Sequence, residues 1–286
     1  GRGAFQELDQ VPMTAPVTKL SFRATRARDL GADMARAVRT ARSGRQGPVH
    51  VALPFDVVSQ EVADAVIPPA AAFQAERAPL GIGDVRLIAQ TVAVAKRPLV
   101  ICGPALNETR SSGQIAALEA ALDAPVGAME SPRGRNDPAL GRFAEALAQA
   151  DVIVCLGKRI DFTLGFGAVG PFAADCRWIV VEADATERSR AHLNLGKRLA
   201  ACFAADPRDA VTDLIDAAQP ASGRAEWRET VAKLIAARDF SATDQVASGK
   251  ITPAQLCAAI QRQVAKAKSS VVICDGGEFG QWAQAA

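Results

Sequence analysis

The sequence is poor in the residues that build metal and redox sites. Its two histidines, His50 and His192, lie far apart, and none of its six cysteines stands in a CxxC pair. That excludes the usual paired-ligand signatures of structural zinc. Cys102, Cys155, Cys202 and Cys274 sit in apolar, strand-like runs, where cysteine acts as a small hydrophobe. No secretion signal is recognisable, although a chain without an initiator Met would not show a removed one. Together these features predict reduced thiols and a cytoplasmic location. No apolar run approaches the ~20 residues of a membrane span, so no membrane partner is expected. Charge of one sign is scarce too: 33 basic against 31 acidic residues leave a net +2. A dedicated nucleic-acid surface is therefore not expected, and Arg23, Arg26 and Arg28 read as a solvated face. Ser-His-Asp, HExxH and Walker patterns are all missing, as are internal repeats.

What remains is an ordinary globular composition, 49% hydrophobic and 22% charged over 286 residues. Such a chain buries roughly three quarters of its unfolded surface and needs neither disulfide nor metal to fold. Two breaks rich in Ala, Pro and Gly divide it, at Glu61 to Gly83 and at Ala217 to Gly223, with a weaker one at Ser241 to Lys250. The first segment reads strand, helix, strand: TKLSFRA (Thr18 to Ala24), then Leu30, Met34, Ala37, Val38 and Ala41 on one helical face, then GPVHVALP (Gly47 to Pro54). One such unit is too small to fold well alone.

The middle segment alternates more clearly. Strands are predicted at Arg97 to Gly103, Ala124 to Glu130, Asp151 to Gly157, Arg177 to Asp184 and Arg198 to Asp206, with amphipathic helices between them. One helix is capped by Asn136 or Asp137 and carries Leu140, Phe143 and Leu147; another starts at Pro207. Strands this apolar are buried on both faces, which predicts a parallel sheet covered by helices, a doubly wound Rossmann-like α/β domain. The third segment holds a helix from Arg224 to about Phe240, a second with Thr252 as N-cap and Pro253 at its first position, and a final strand, Val271 to Cys274, entering a glycine-rich turn. The expected division is 1–65, 79–218 and 224–286, the outer parts being partial α/β domains.

Ligand signals are few. The turn CGPALNETRSSG (Cys102 to Gly113) joins a strand to a helix without a GxGxxG pattern, and reads equally as a plain loop. Glu182 and Asp184 end a strand, where an acid accepts hydrogen bonds from a ribose in dinucleotide folds; Asp184 equally suits the cap of the next helix. Arg159, at another strand end, would meet a phosphate or form a surface ion pair. The terminal DGGEFG (Asp275 to Gly280) is built like a phosphate cradle, a turn opening a helix N-terminus.

The opening GAFQELDQ (Gly3 to Gln10) with Pro16-Val17-Thr18-Lys19 resembles the large-subunit acetolactate synthase group of thiamine-diphosphate enzymes, a family that includes benzaldehyde lyase and oxalyl-CoA decarboxylase. SGRQGPVHVALPFDV (Ser43 to Val57) is similar to the end of that family's pyrimidine-binding domain. LGKRIDF (Leu156 to Phe162) and VEADATE (Val181 to Glu187) resemble its central domain, and DGGEFGQWAQ (Asp275 to Gln284) the opening of its diphosphate-binding domain.

This resemblance implies a fragment: the end of a first domain, a whole second one, and the start of a third. In such enzymes the glutamate that activates the cofactor lies upstream of residue 1, and the GDG…N motif for Mg²⁺ lies downstream of residue 286. The intact enzyme would use thiamine diphosphate and Mg²⁺ on a 2-oxo acid or aldehyde, as a homodimer or homotetramer; the fragment alone would be inactive. Gln6 matches the family's active-site glutamine, or else pins its loop, and Phe5 and Lys19 match positions near that pocket. Gly277, Glu278 and Phe279 match the loop over the diphosphate, with Glu278 contributing its backbone N–H. No metal ligand is assigned within the chain. Flavin-binding members carry a GMHG-like stretch where this chain reads ESPRGRNDPALG (Glu130 to Gly141), without histidine. The central domain is thus expected to hold FAD, an ADP-like nucleotide or nothing. The competing reading is a stand-alone nucleotide-binding or assembly module without thiamine chemistry.

Overall fold

The structure is a computed structural model that describes residues 5, 7–131, 133–217, 223–238, 250–273 and 278–285. The chain forms two units, residues 1–79 and 80–286. Among the described residues, no helix is long and apolar enough to cross a membrane.

In the first unit, the short helix α1 (Gln10–Thr14) precedes strand β1 (Leu20–Arg23), helix α2 (Leu30–Arg42), strand β2 (Val49–Ala52) and helix α3 (Phe55–Val58). The two strands are parallel, with Ser21 opposite His50 and Phe22 opposite Val51. Phe22 faces α2, where the Arg36 guanidinium stacks 4.9 Å from its ring centre. The stretch after α3 is more ordered than its Ala/Pro composition predicts. Arg39 of α2 donates to the Ala72 carbonyl (3.1 Å), and Glu76 N–H donates to Ser43 Oγ (2.8 Å). Gly31 is required there, since a Cβ would stand 2.7 Å from both Pro68 Cδ and the Val66 carbonyl.

The second unit begins with helix α4 (Ile82–Val94) and continues as β3 (Pro98–Cys102), α5 (Glu108–Leu122), β4 (Val126–Ala128), α6 (Phe143–Gln149), β5 (Val152–Leu156), β6 (Arg177–Val181), α7 (Ala185–Leu195), β7 (Leu199–Phe203), α8 (Pro207–Asp216) and α9 (Ala225–Ala236). The strands are all parallel in the order β4-β3-β5-β6-β7. Every residue of β3 and β5 is buried. Two apolar layers cover the sheet. One contains Ile88, Leu118, Val154 and Leu214, the other Phe143, Leu147, Ile153, Trp178 and Trp227. The doubly wound fold follows from strands that are apolar on both faces, as the sequence predicts.

Three elements differ from expectation. The helix capped near Asp137 is broken: Asp137 caps only a 3₁₀ turn, Pro138–Leu140, and α6 starts at Phe143. The reason is α9, whose Leu234 carbonyl accepts the Arg142 N–H (2.9 Å) while its last carbonyls crowd Gly141, at φ +54°. Any Cβ on Gly141 would lie 2.6 Å from the Ile235 carbonyl, so the chain kinks there. Second, α9, assigned from sequence to the third segment, lies on the core of this unit. Trp227 and Val231 enter the layer with Trp178, and Trp227 Nε1 donates to the Pro98 carbonyl (2.7 Å). Third, the strand expected at Val271 to Cys274 is not formed over residues 271–273, which are exposed, Ile273 to 89%. A strand needs a ladder partner, and none pairs with these residues among the described ones; Cys274 lies outside the description. Before and after that stretch come α10 (Pro253–Val264), closed by the expected Thr252 cap as a reciprocal Thr252–Gln255 capping box, and α11 (Glu278–Ala285).

Candidate functional site

An open parallel sheet binds ligands beyond the carboxyl ends of its strands, where the strand order reverses. Here that point lies between β3 and β5, with chain continuing to β4 on one side and to β6 on the other. Gly103 follows β3 and Gly157 follows β5. Their backbones touch: a Cβ on Gly103 would fall 2.1 Å from the Gly157 carbonyl. Gly157 itself has φ +67° and faces Pro207. The floor of the switch point is therefore backbone packed on backbone, with both glycines buried. The Gly103–Leu106 turn (Leu106 N–H to Gly103 carbonyl, 2.9 Å) then brings buried Asn107 to the start of α5.

Buried polar groups ring this floor. Lys158 follows Gly157 and is 6% exposed; Glu182, at the end of β6, is 3% exposed. Glu182 Oε1 accepts the Asp184 N–H (3.0 Å), and the Glu182 and Ala183 carbonyls accept from the Arg188 guanidinium (2.8 and 2.7 Å). Asp206, beyond β7, accepts from the Arg208 N–H and Nε (both 2.9 Å). Burial pushes the Asp206 carboxyl up, but the hydrogen bonds and charge of Arg208 outweigh it and hold the group below the usual carboxylate range. Burial also pushes the Cys155 thiol far up, and the Cys176 thiol up to about 12, so neither is a thiolate nucleophile at neutral pH.

Two residues selected from sequence meet here. Asp184 caps α7 through the N–H groups of Thr186 (2.7 Å) and Glu187 (3.2 Å). Arg159 pairs with Glu187 Oε1 (3.1 Å), and Arg190 grips the same carboxylate. The structure thus realises the cap and the ion pair that the sequence left open beside ribose and phosphate. Asp184 and Asp206 thus cap the N-termini of α7 and α8, whereas α5 begins at Glu108, inside the Cys102–Gly113 stretch singled out in the sequence. Asn107, Lys158, Asp206 and the Gly103–Gly157 contact escaped sequence reading. Glycine directly after each apolar strand was their one visible signal.

The other selected residues lie elsewhere. In the first unit, Phe5 is exposed, and Lys19 Nζ donates to the Thr40 and Ser43 carbonyls (2.7 and 2.6 Å), a cation on the C-terminus of α2. Gln6 and Gly277 fall outside the described residues; Glu278 and Phe279 open α11, their side chains undescribed. Among the described residues no cluster of His, Cys, Asp and Glu is placed to hold a metal ion. A cavity of about 330 Å³ opens at the opposite end of the sheet, beside Lys96, Arg97, Arg224 and Trp227, and contains none of the selected residues.

The fold defines a doubly wound α/β protein with a switch point between β3 and β5. In sequence the chain is similar to 2-hydroxyacyl-CoA lyases, oxalyl-CoA decarboxylase and acetolactate synthase large subunits. The chain is 29% identical over 201 residues to 2-hydroxyacyl-CoA lyase 1 of Dictyostelium discoideum, covering 66% of this chain and 34% of that protein. It is 29% identical over 200 residues to oxalyl-CoA decarboxylase of Escherichia coli, covering 65% and 34%. With the acetolactate synthase large subunit of Corynebacterium glutamicum it aligns over 99% of its length, at 26% identity and 46% of that protein. The chain therefore spans between a third and a half of these relatives. No family model matches it. The benzoylformate decarboxylase structure from Polynucleobacter necessarius shares the fold (TM-score 0.58, 19% identity, 75% of this chain and 41% of that one). So does a thiamine diphosphate-dependent 4-hydroxybenzoylformate decarboxylase from Rhodococcus jostii (TM-score 0.55, 22% identity, 76% and 42%).

Proposed function

We propose that the chain is part of a thiamine-diphosphate-dependent enzyme that makes or breaks a carbon–carbon bond beside the carbonyl of a 2-oxo acid or aldehyde. The observation that carries this reading is the colinear similarity to an acetolactate synthase subunit along 99% of the chain. The same relatives disfavour a stand-alone binding module. When bound, thiamine diphosphate supplies a nucleophilic ring carbon and an electron sink. The chain's own part is to orient and neutralise. The Gln6 amide donates to the substrate oxygen without adding charge, with Phe5 and Lys19 nearby. The backbone N–H groups of Gly277, Glu278 and Phe279 would hold the diphosphate, where the Glu278 carboxylate would be repelled. Mg²⁺ is held by residues beyond the 286, and the enzyme works as a cytoplasmic homodimer or homotetramer.

For the second unit we propose an ADP-like nucleotide at the β3–β5 switch point rather than FAD. The strand order supports this reading, since ligands of such sheets sit at the switch point; the α5 N-terminus would lie toward the phosphates and Glu182 toward the ribose. Within the 130–141 stretch, Gly134 packs directly on the chain: a Cβ there would meet the Thr163 carbonyl at 2.0 Å.

The deciding experiment is turnover by the full-length protein. Thiamine- and Mg²⁺-dependent conversion of pyruvate, another 2-oxo acid or a 2-hydroxyacyl-CoA is expected; inertness toward the whole panel would end this reading. The 286-residue chain is expected to bind thiamine diphosphate with Mg²⁺ no tighter than roughly millimolar, about −4 kcal/mol. Micromolar binding by calorimetry would contradict the division of labour proposed here.

A further inference from the structure

On β1, Phe22 faces α2, so Ser21 and Arg23 point to the opposite face, as does His50, the register partner of Ser21. Helix α1 reaches this face through side chains at both its ends. Its N-cap Asp9 pairs with Arg23 (3.2 Å), and Thr14 meets Ser21 (Oγ1···Oγ 2.7 Å). Ser21 Oγ in turn lies 3.1 Å from His50 Nδ1. No residue of α1 is fully buried and only Val11 among its apolar residues is half-buried, so polar contacts carry much of its placement.

The direction of these hydrogen bonds follows from counting protons. Thr14 Oγ1 lies 2.8 Å from the Gln10 carbonyl, which only accepts, so the Thr14 proton goes there. The Thr14–Ser21 bond then uses the Ser21 proton. With that proton spent, Ser21 can only accept from His50, and Nδ1 must carry a hydrogen. Donation runs one way, from His50 through Ser21 and Thr14 to the first carbonyl of α1.

We propose that Thr14, Ser21 and His50 form a one-directional hydroxyl relay that holds His50 in its Nδ1–H tautomer and seats α1, making Ser21 a positioning residue for the segment carrying Gln6, four residues before Gln10. The catalytic part of this statement rests on the thiamine reading above; the tautomer does not. Nε2 is left as the free acceptor of the neutral ring, for among the described residues it has no partner.

The test starts with the 286-residue chain, whose two histidines give a simple ring ¹⁵N spectrum. At a pH where the ring is neutral, His50 is expected to be protonated at Nδ1 and bare at Nε2. Ser21→Ala should abolish that signature and speed exchange of the Ala15 amide, which closes α1, by about tenfold, one hydrogen bond's worth. Ser21→Thr, which keeps the hydroxyl, should restore both. A wild-type His50 protonated at Nε2, or unchanged Ala15 exchange in Ser21→Ala, overturns the relay. In the full-length enzyme Ser21→Ala should lower kcat between about tenfold and a hundredfold, with a smaller change in KM. Wild-type kcat in that variant overturns the positioning role. If the wild-type enzyme itself shows no thiamine-dependent turnover, the proposed function fails, and the spectrum and the exchange rate still decide the relay.

Discussion

Arg224, the N-cap residue of α9, ties that helix to the ends of α4 and α5. Its guanidinium donates to the carbonyls of Val92 (2.7 Å), Ala95 (3.2 Å), Leu122 (2.9 Å) and Asp123 (2.9 Å), and it faces the buried Asp123 carboxylate. These are the last carbonyls of α4 and α5, which need donors. Arg224→Ala leaves them bare beside a half-compensated buried charge, and a loss of about 3–5 kcal/mol is expected in urea unfolding. Arg224→Lys should recover little of it, because an ammonium cannot span so many acceptors. The glycines allow a paired comparison. Gly103→Ala forces a Cβ into the Gly157 backbone and should cost about 1–3 kcal/mol or more. Gly83→Ala, in α4 with nothing within 4 Å, should instead stabilise by about 0.4–1 kcal/mol. Equal effects of the two substitutions on the urea midpoint would contradict the switch-point geometry.

At the scale of elements, α8 offers a pH test. Asp206 caps it and is held below the usual carboxylate range. Its contribution is complete above the unfolded carboxyl value, about 3.9, and is lost as pH falls through the lower folded value. Wild-type stability should fall over that acid window, and Asp206→Ala should flatten this part of the profile while lowering stability at pH 7. A parallel profile would show that the cap carries no linkage. The strands and the doubly wound order were legible because a run such as Leu99 to Cys102 is apolar without alternation, and only a sheet covered on both faces buries it. Helix starts at Pro207 and Pro253 were legible because cap chemistry is local. The break before α6 was not, since it answers carbonyls of Leu234 and Ile235, nearly a hundred residues away. The strand at 271–273 failed for the same reason: apolar β-branched residues state a preference, but a strand also requires a neighbour. In the crevice, the acids Glu182 and Asp184 could be read, whereas the Gly103–Gly157 contact depends on two turns meeting in space.

For the molecule as a whole, the division into 1–65, 79–218 and 224–286 stands as a proposal that proteolysis can refine. Because α9 is clamped at its start by Arg224 and near its end by the Arg142 N–H, the resistant core should run from about residue 80 through Ala236. The Glu61 to Arg77 stretch leans on α2 through Ala72 and Glu76, so the first tryptic cut between the units is expected after Arg77. Mass spectrometry of a core ending before Arg224 would refute this. The strand order also sets a schedule for synthesis. The interior strand β3 acquires its second neighbour, β5, only after some fifty further residues have been made. At ribosomal speeds that is about 3–10 s during which one edge of a wholly apolar strand lacks its partner. The nascent chain therefore passes through a window in which holding it back from its neighbours on the polysome matters more than its final stability, and slower translation lengthens that window.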